Sequence, residues 1–159
     1  MTHGLDTDKQ VFFYEQEFYV LSNFSAFRVK WLSFDFDTTE HAYQFSKFWE
    51  AGSVNQRIIL NAIRHAQSAH EAFKIAQDHT SCIHPSWKDR RVDVMRGILR
   101  SKVARHEYVQ RKLLETGDRE LIENSWRDSF WGWGPNKDGQ NQLGKLWMEI
   151  RDELANPVS

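Results

Sequence analysis

Glu40, Gln44 and Lys47 stand four and three residues apart in the segment TTEHAYQFSKFW (38–49). On a helix of 3.6 residues per turn they share one face, within about 60° of each other. Alone, Glu40 is an ordinary first-turn acid that complements the helix dipole, and Lys47 is an ordinary solvated lysine. Together they lie about 10 Å apart along the axis, too far for a tight mutual bond and well spaced to bracket a small polar ligand. Tyr43, Phe45, Phe48 and Trp49 flank them. Such an apolar setting is expected to lower the pKa of Lys47 and make it an amine nucleophile.

A second concentration of chemistry is SWRDSFWGWGPNKDGQNQLG (125–144), with four of the eight glycines and three of the seven tryptophans. One reading is an aromatic loop packed over the core. The other is a pocket wall, in which glycines such as Gly132 and Gly134 let backbone amides approach a ligand and rings such as Trp131 stack on a flat base. Asp128 supplies a second acid. Asn141 and Gly144 adjoin the start of the last helix, whose N-terminus suits a phosphate. GQNQLGK (139–145) lacks the spacing of a nucleotide-binding P-loop.

Residues 88–105 hold seven Lys or Arg against two Asp. Most of these charges belong on a solvated face. On a helical wheel, however, Arg91 and Lys102 fall among Met95, Ile98 and Leu99, where a cation must snorkel or meet an anion. Phosphate is a natural partner for Lys102, and Trp87 adds a stacking ring at the helix start. HTSCIH (79–84) offers His79, Cys82 and His84 without a fourth zinc ligand, so no metal is expected.

The elements that position these residues follow from periodicity. Short aromatic runs at 11–14 and 18–21 read as strands, and FRVKWLSFDF (27–36) alternates as a hairpin with one buried face. Asp37 and Thr38 are good N-caps, Glu40 completes a capping-box pattern with Asp37, and Gly52 ends the helix. Further helices are expected over 54–65, 68–79, 87–105, 107–116, 118–124 and from about 143 onward. The class expected is α+β, mainly α. A loose tail at 1–9 precedes one compact domain, 10–155, with a small N-terminal antiparallel sheet.

The 159 residues suffice for one real core. A net charge of −1 announces no duplex or membrane partner. One cysteine and no apolar run near the ~20 residues of a membrane span point to a cytoplasmic protein.

SNF (22–24), TEHAYQFSKF (39–48), Trp87 with VMRGILRSK (94–102), and DSFWGWG (128–134) with DGQNQLGKLWMEIR (138–151) occur in this order. In these segments the chain resembles the NADAR (YbiA-like) family from about residue 12 to 154. The resemblance implies a compact, mainly helical N-glycosidase without a cofactor. It implies as substrate either a phosphoribosylated pyrimidine intermediate of riboflavin synthesis or ADP-ribosylated guanine, as a free nucleotide or in single-stranded nucleic acid. It implies Lys47 as the amine that captures ribose and Glu40 as the acid of the motif. Asn23 and Phe24 join the substrate-binding set through the SNF segment. Phe45 departs from the small residue of many members and is expected to narrow the pocket beside Lys47.

Both substrates contain a C1′–N bond and a 5′-phosphate. Glu40 or Asp128 is expected to stabilise positive charge at C1′ or activate a nucleophile. Lys47 would form an imine with the opened sugar, and Gln44 would bond ribose hydroxyls. The alternative is a module that binds ADP-ribose or a nucleotide without cleaving it. Oligomeric state has no signature in the sequence.

Overall fold

The computed structural model describes residues 6–13, 16–49 and 54–157. The chain folds as two compact units, Met1–Ser25 with His106–Ser159, and Ala26–Arg105. The class is α+β, mainly α, with α1 (Thr39–Ser46), α2 (Val54–Arg64), α3 (Ala69–Asp78), α4 (Trp87–Arg105), α5 (Glu107–Glu115) and α6 (Gln142–Ala155).

The middle unit starts with an antiparallel hairpin, β2 (Val29–Trp31) and β3 (Phe34–Phe36), in the expected alternation. Val29 pairs with Phe36, both fully buried, and Trp31 pairs with Phe34. The two turn residues, Leu32 and Ser33, have positive φ of 53° and 70°, the twist a two-residue hairpin requires. Helices α1 and α4 pack together, β2 lies against α4, and α2 and α3 pack on α1. Trp31 is the pin. A Cβ at Gly97 of α4 would come within 2.5 Å of its ring, and its Nε1 donates to Ser46 Oγ of α1 at 2.9 Å.

Helix α1 differs from expectation at both ends. Its N-cap is Thr38, whose Oγ1 accepts from His41 N at 3.1 Å, so Asp37 and Glu40 do not form the capping box. Thr38 Oγ1 also contacts His41 Nδ1 at 2.8 Å, while His41 Nε2 reaches the Ala66 carbonyl at 2.9 Å. A carbonyl only accepts, so Nε2 carries a proton. At its C-terminus α1 stops at Ser46, and Phe48 and Trp49 bond back three residues. Gly52, the expected terminator, lies outside the described residues.

In the other unit, β1 (Gln10–Phe12) pairs in parallel with β4 (Glu120–Ile122), from Gln10↔Glu120 to Phe12↔Ile122. This corrects the helix expected over 118–124. The run at 18–21, expected as a strand, belongs to a 3-10 segment, Gln16–Leu21. Residues 6–9 are held by side chains: Asp6 Oδ1 accepts from Phe12 N, and Thr7 Oγ1 from Lys9 N and Gln10 N. Helix α6 packs on β4 and α5, and its Trp147, fully buried, donates Nε1 to the Leu21 carbonyl at 2.9 Å.

Candidate active site

All eight residues of α1 are buried, the polar ones included. Hydrophobic packing explains Ala42, Tyr43 and Phe45, but enclosing Glu40 at 6 % exposure and Gln44 at 2 % costs free energy unless their polar atoms are engaged. One turn apart, they engage each other: Gln44 Nε2 donates to Glu40 Oε1 at 2.6 Å. Gln44 Oε1 has no hydrogen-bond partner among the described residues.

Lys47 closes the helix as its C-cap and is half-buried. Its Nζ lies 5.3 Å from the centre of the Tyr43 ring, and the Tyr43 and Trp87 rings meet at 5.2 Å with a 58° tilt. The Arg90 guanidinium lies 5.6 Å from the centre of the Trp87 ring. Two cations thus flank two electron-rich rings, each worth about 0.5–2 kcal/mol of attraction. Trp87 is 6 % exposed and wedged in this stack. The Lys47 carbonyl accepts from His84 N at 3.2 Å, which ties the end of α1 to the approach to α4. His84 Nδ1 meets Ser86 Oγ and His79 Nδ1 the Ile75 carbonyl, local turn contacts in the segment weighed for zinc.

Phe45 does not narrow a space beside Lys47. Two residues are about 200° of helical rotation, and Phe45 points instead into a cluster with Phe34, Phe36 and Trp49 at 5.4, 4.9 and 5.5 Å.

Lys102 does not snorkel. It is fully buried on the α4 face formed by Met95, Ile98, Leu99 and Val103, with Nζ 5.6 Å from the Phe27 ring centre. Desolvation holds its pKa down, to about 7 from an ordinary 10.5. Loss of hydration penalises the ammonium more than the neutral amine. A lysine of lowered pKa thus stands on α4, where the wheel had suggested a cation that must snorkel or meet an anion.

In the other unit the candidate residues gather on a loop that bonds to itself. Asp128 Oδ1 accepts from Phe130 N at 2.9 Å and Trp131 N at 2.8 Å, and Asp128 N donates to Ser125 Oγ. Gln140 N bonds Ser129 O, Asn141 N bonds Gly132 O, and Leu143 N bonds Trp131 O, at 2.7 to 3.0 Å. Trp131, 8 % exposed, meets Phe130 edge-on at 4.9 Å. At Gly132 a Cβ would stand 2.8 Å from the Glu123 carbonyl, and Gly134 has φ +71°.

Asn141 and Gly144 lock β4 to α6. Asn141, with φ 50°, donates Nδ2 to Leu121 O at 2.8 Å and accepts from Glu123 N at 3.0 Å. A Cβ on Gly144 would come within 2.0 Å of the same Leu121 carbonyl. Asn23, 7 % exposed, and Phe24, 42 % exposed, sit in a turn where Phe24 N donates to Ser22 Oγ and Tyr19 Oη to the Phe24 carbonyl. Sequence reasoning missed three positioning residues: His41, Trp31 and Gly97. A histidine three residues after a threonine N-cap was the available signal for the first.

The NADAR domain model matches residues 12–155. The chain belongs to the NADAR family. This NADAR chain is 36 % identical over 151 residues to the N-glycosidase Npun_R5314 of Nostoc punctiforme, covering 94 % of this chain and 95 % of that protein. It is 34 % identical over 149 residues to the riboflavin biosynthesis protein VVA0006 of Vibrio vulnificus, covering 92 % of this chain and 39 % of that longer protein. The solution structure of Escherichia coli YbiA superposes with a TM-score of 0.81 at 30 % identity, over 95 % of this chain and 88 % of that one. No helix among the described residues of this NADAR domain is long and apolar enough to cross a membrane.

Proposed function

We propose that the chain is an N-glycosidase, a hydrolase of the C1′–N bond joining a 5′-phosphorylated ribose to a nitrogen heterocycle. The observation that carries this reading is the buried Glu40–Gln44 pair on α1, with Lys47 one turn further along. Breaking the bond leaves its electron pair on the base and positive charge at C1′. An enclosed carboxylate opposes that charge far more strongly than one in water. We assign this role to Glu40, because Asp128 Oδ1 already takes two backbone N–H groups of its own loop. The Lys47 amine bonds to C1′ as the base leaves. Opening of the sugar ring then gives an imine, with a proton passing from nitrogen to the ring oxygen. Water hydrolyses the imine, returning the amine and releasing the free sugar phosphate. Lys102 would hold the 5′-phosphate, whose charge would restore the proton that burial disfavours.

One observation favours a second assignment within the same reaction. With a pKa of about 7, Lys102 is the lysine already substantially neutral near physiological pH, so it is the other candidate for the amine. The test is release of free base from two substrates, a ribosylaminopyrimidine 5′-phosphate and single-stranded DNA bearing ADP-ribosylated guanine. Base from either supports the reading and assigns the substrate class. Saturable binding of both without any release identifies a binding module and ends it.

A further inference from the structure

Ionised, the Glu40 carboxylate can only accept hydrogen bonds. The Gln44 amide must therefore turn its NH2 end toward Glu40, as the 2.6 Å bond shows. The reverse orientation would set two acceptors against each other. This fixes the other end of the amide: Oε1 faces away from Glu40, enclosed and without a partner among the described residues. A buried acceptor left so costs about 1–3 kcal/mol. Only a hydrogen-bond donor relieves it; a phosphate, a carbonyl or a deprotonated ring nitrogen would make it worse.

We infer that Gln44 reads the 2′-hydroxyl of the ribose, with Glu40 acting also as the positioning residue that sets which end of the amide meets the sugar. The inference rests on the N-glycosidase reading above. With the carboxylate against C1′, an amide bonded directly to it lies one sugar carbon away, at C2′. The 2′-hydroxyl is a donor there, and a 2′-deoxy sugar offers only C–H. The site therefore selects ribosides over deoxyribosides.

Whichever of the two substrates releases base is paired with its 2′-deoxy analogue, and kcat/KM is measured for both in the wild type and in Gln44→Met. Comparing the ribo-to-deoxy ratio between the two proteins cancels the different intrinsic lability of the two glycosidic bonds. The ratio is expected to fall about tenfold or more in Gln44→Met. Melting is expected to fall by a few degrees, since the substitution removes the unpaired acceptor but also the Nε2 donor to the buried Glu40 carboxylate, a loss that affects both substrates alike and leaves the ratio readable. An unchanged ratio overturns the inference and leaves the N-glycosidase reading standing. If the wild type releases base from neither substrate, that reading fails and this inference falls with it.

Discussion

Helix α1 and the loop over 125–144 are both dense in rings and polar groups, yet their polar groups end in different places. In the loop they end on the loop itself and its neighbours in chain. Asp128 caps the turn before Trp131, Asn141 spans two backbone groups around β4, and Gly144 makes room for the Leu121 carbonyl. On α1 an acid and an amide are enclosed together, and the amide keeps a buried acceptor that nothing described in the fold satisfies. Folding accounts for the first pattern. The second carries a cost that a ligand would offset, and residues that violate local rules in this way are where function is expected. On this contrast we propose that the helix carries the chemistry and the loop serves as scaffolding.

The strongest way to break that division is Glu40→Gln. The new amide can still accept from Gln44 through its carbonyl, so the melting temperature should hold within a few degrees. Loss of the charge should lower kcat about 10³-fold. A large drop in melting with little loss per folded molecule would make Glu40 structural and erase the contrast. Gly144→Ala tests the loop side through stability, because its Cβ has backbone on one side and Asn141 on the other. We expect a loss of about 3 kcal/mol, or roughly 10 °C in melting.

Lys102→Met sharpens the comparison by asking what a buried cation costs. The folded pKa lies near 7 and the unfolded one near 10.5, so between these values the unfolded chain binds more protons and the wild type gains stability as pH rises. Replacing the amine should therefore stabilise the protein by a few kcal/mol, at most about 5, at and below pH 7. The gain should fade by pH 10.5, and activity should fall at every pH. The smallest effect belongs to Asp128→Asn, which keeps the acceptor oxygen and loses only charge. It should cost about 1 kcal/mol or less in denaturant unfolding and leave kcat within about threefold. A hundredfold fall in kcat would place the acid in the loop instead.

The helices and the hairpin were legible in the sequence because their signals are local. Ser68 caps α3, at the start expected for that helix, and accepts from Glu71 N, and Val29 and Phe36 alternate into the core. Strand β4 was not legible: residues 118–124 have helical composition, and only pairing with β1, 110 positions away, makes them extended. In the site, the spacing of Glu40, Gln44 and Lys47 was readable, while the bond between the first two and the cap at Thr38 depended on which side chain reached which donor. The state of Lys102 was hidden because desolvation is a property of the packed neighbours, and a helical wheel shows a face without showing how completely it is covered.

The most direct measurement is reductive trapping: turnover in the presence of borohydride, followed by peptide mapping of the sugar adduct. A single adduct on Lys47 is expected, placing the reacting amine on α1 beside Glu40. An adduct on Lys102, or steady base release with no adduct on any lysine, would contradict the assignment of the covalent step to this helix.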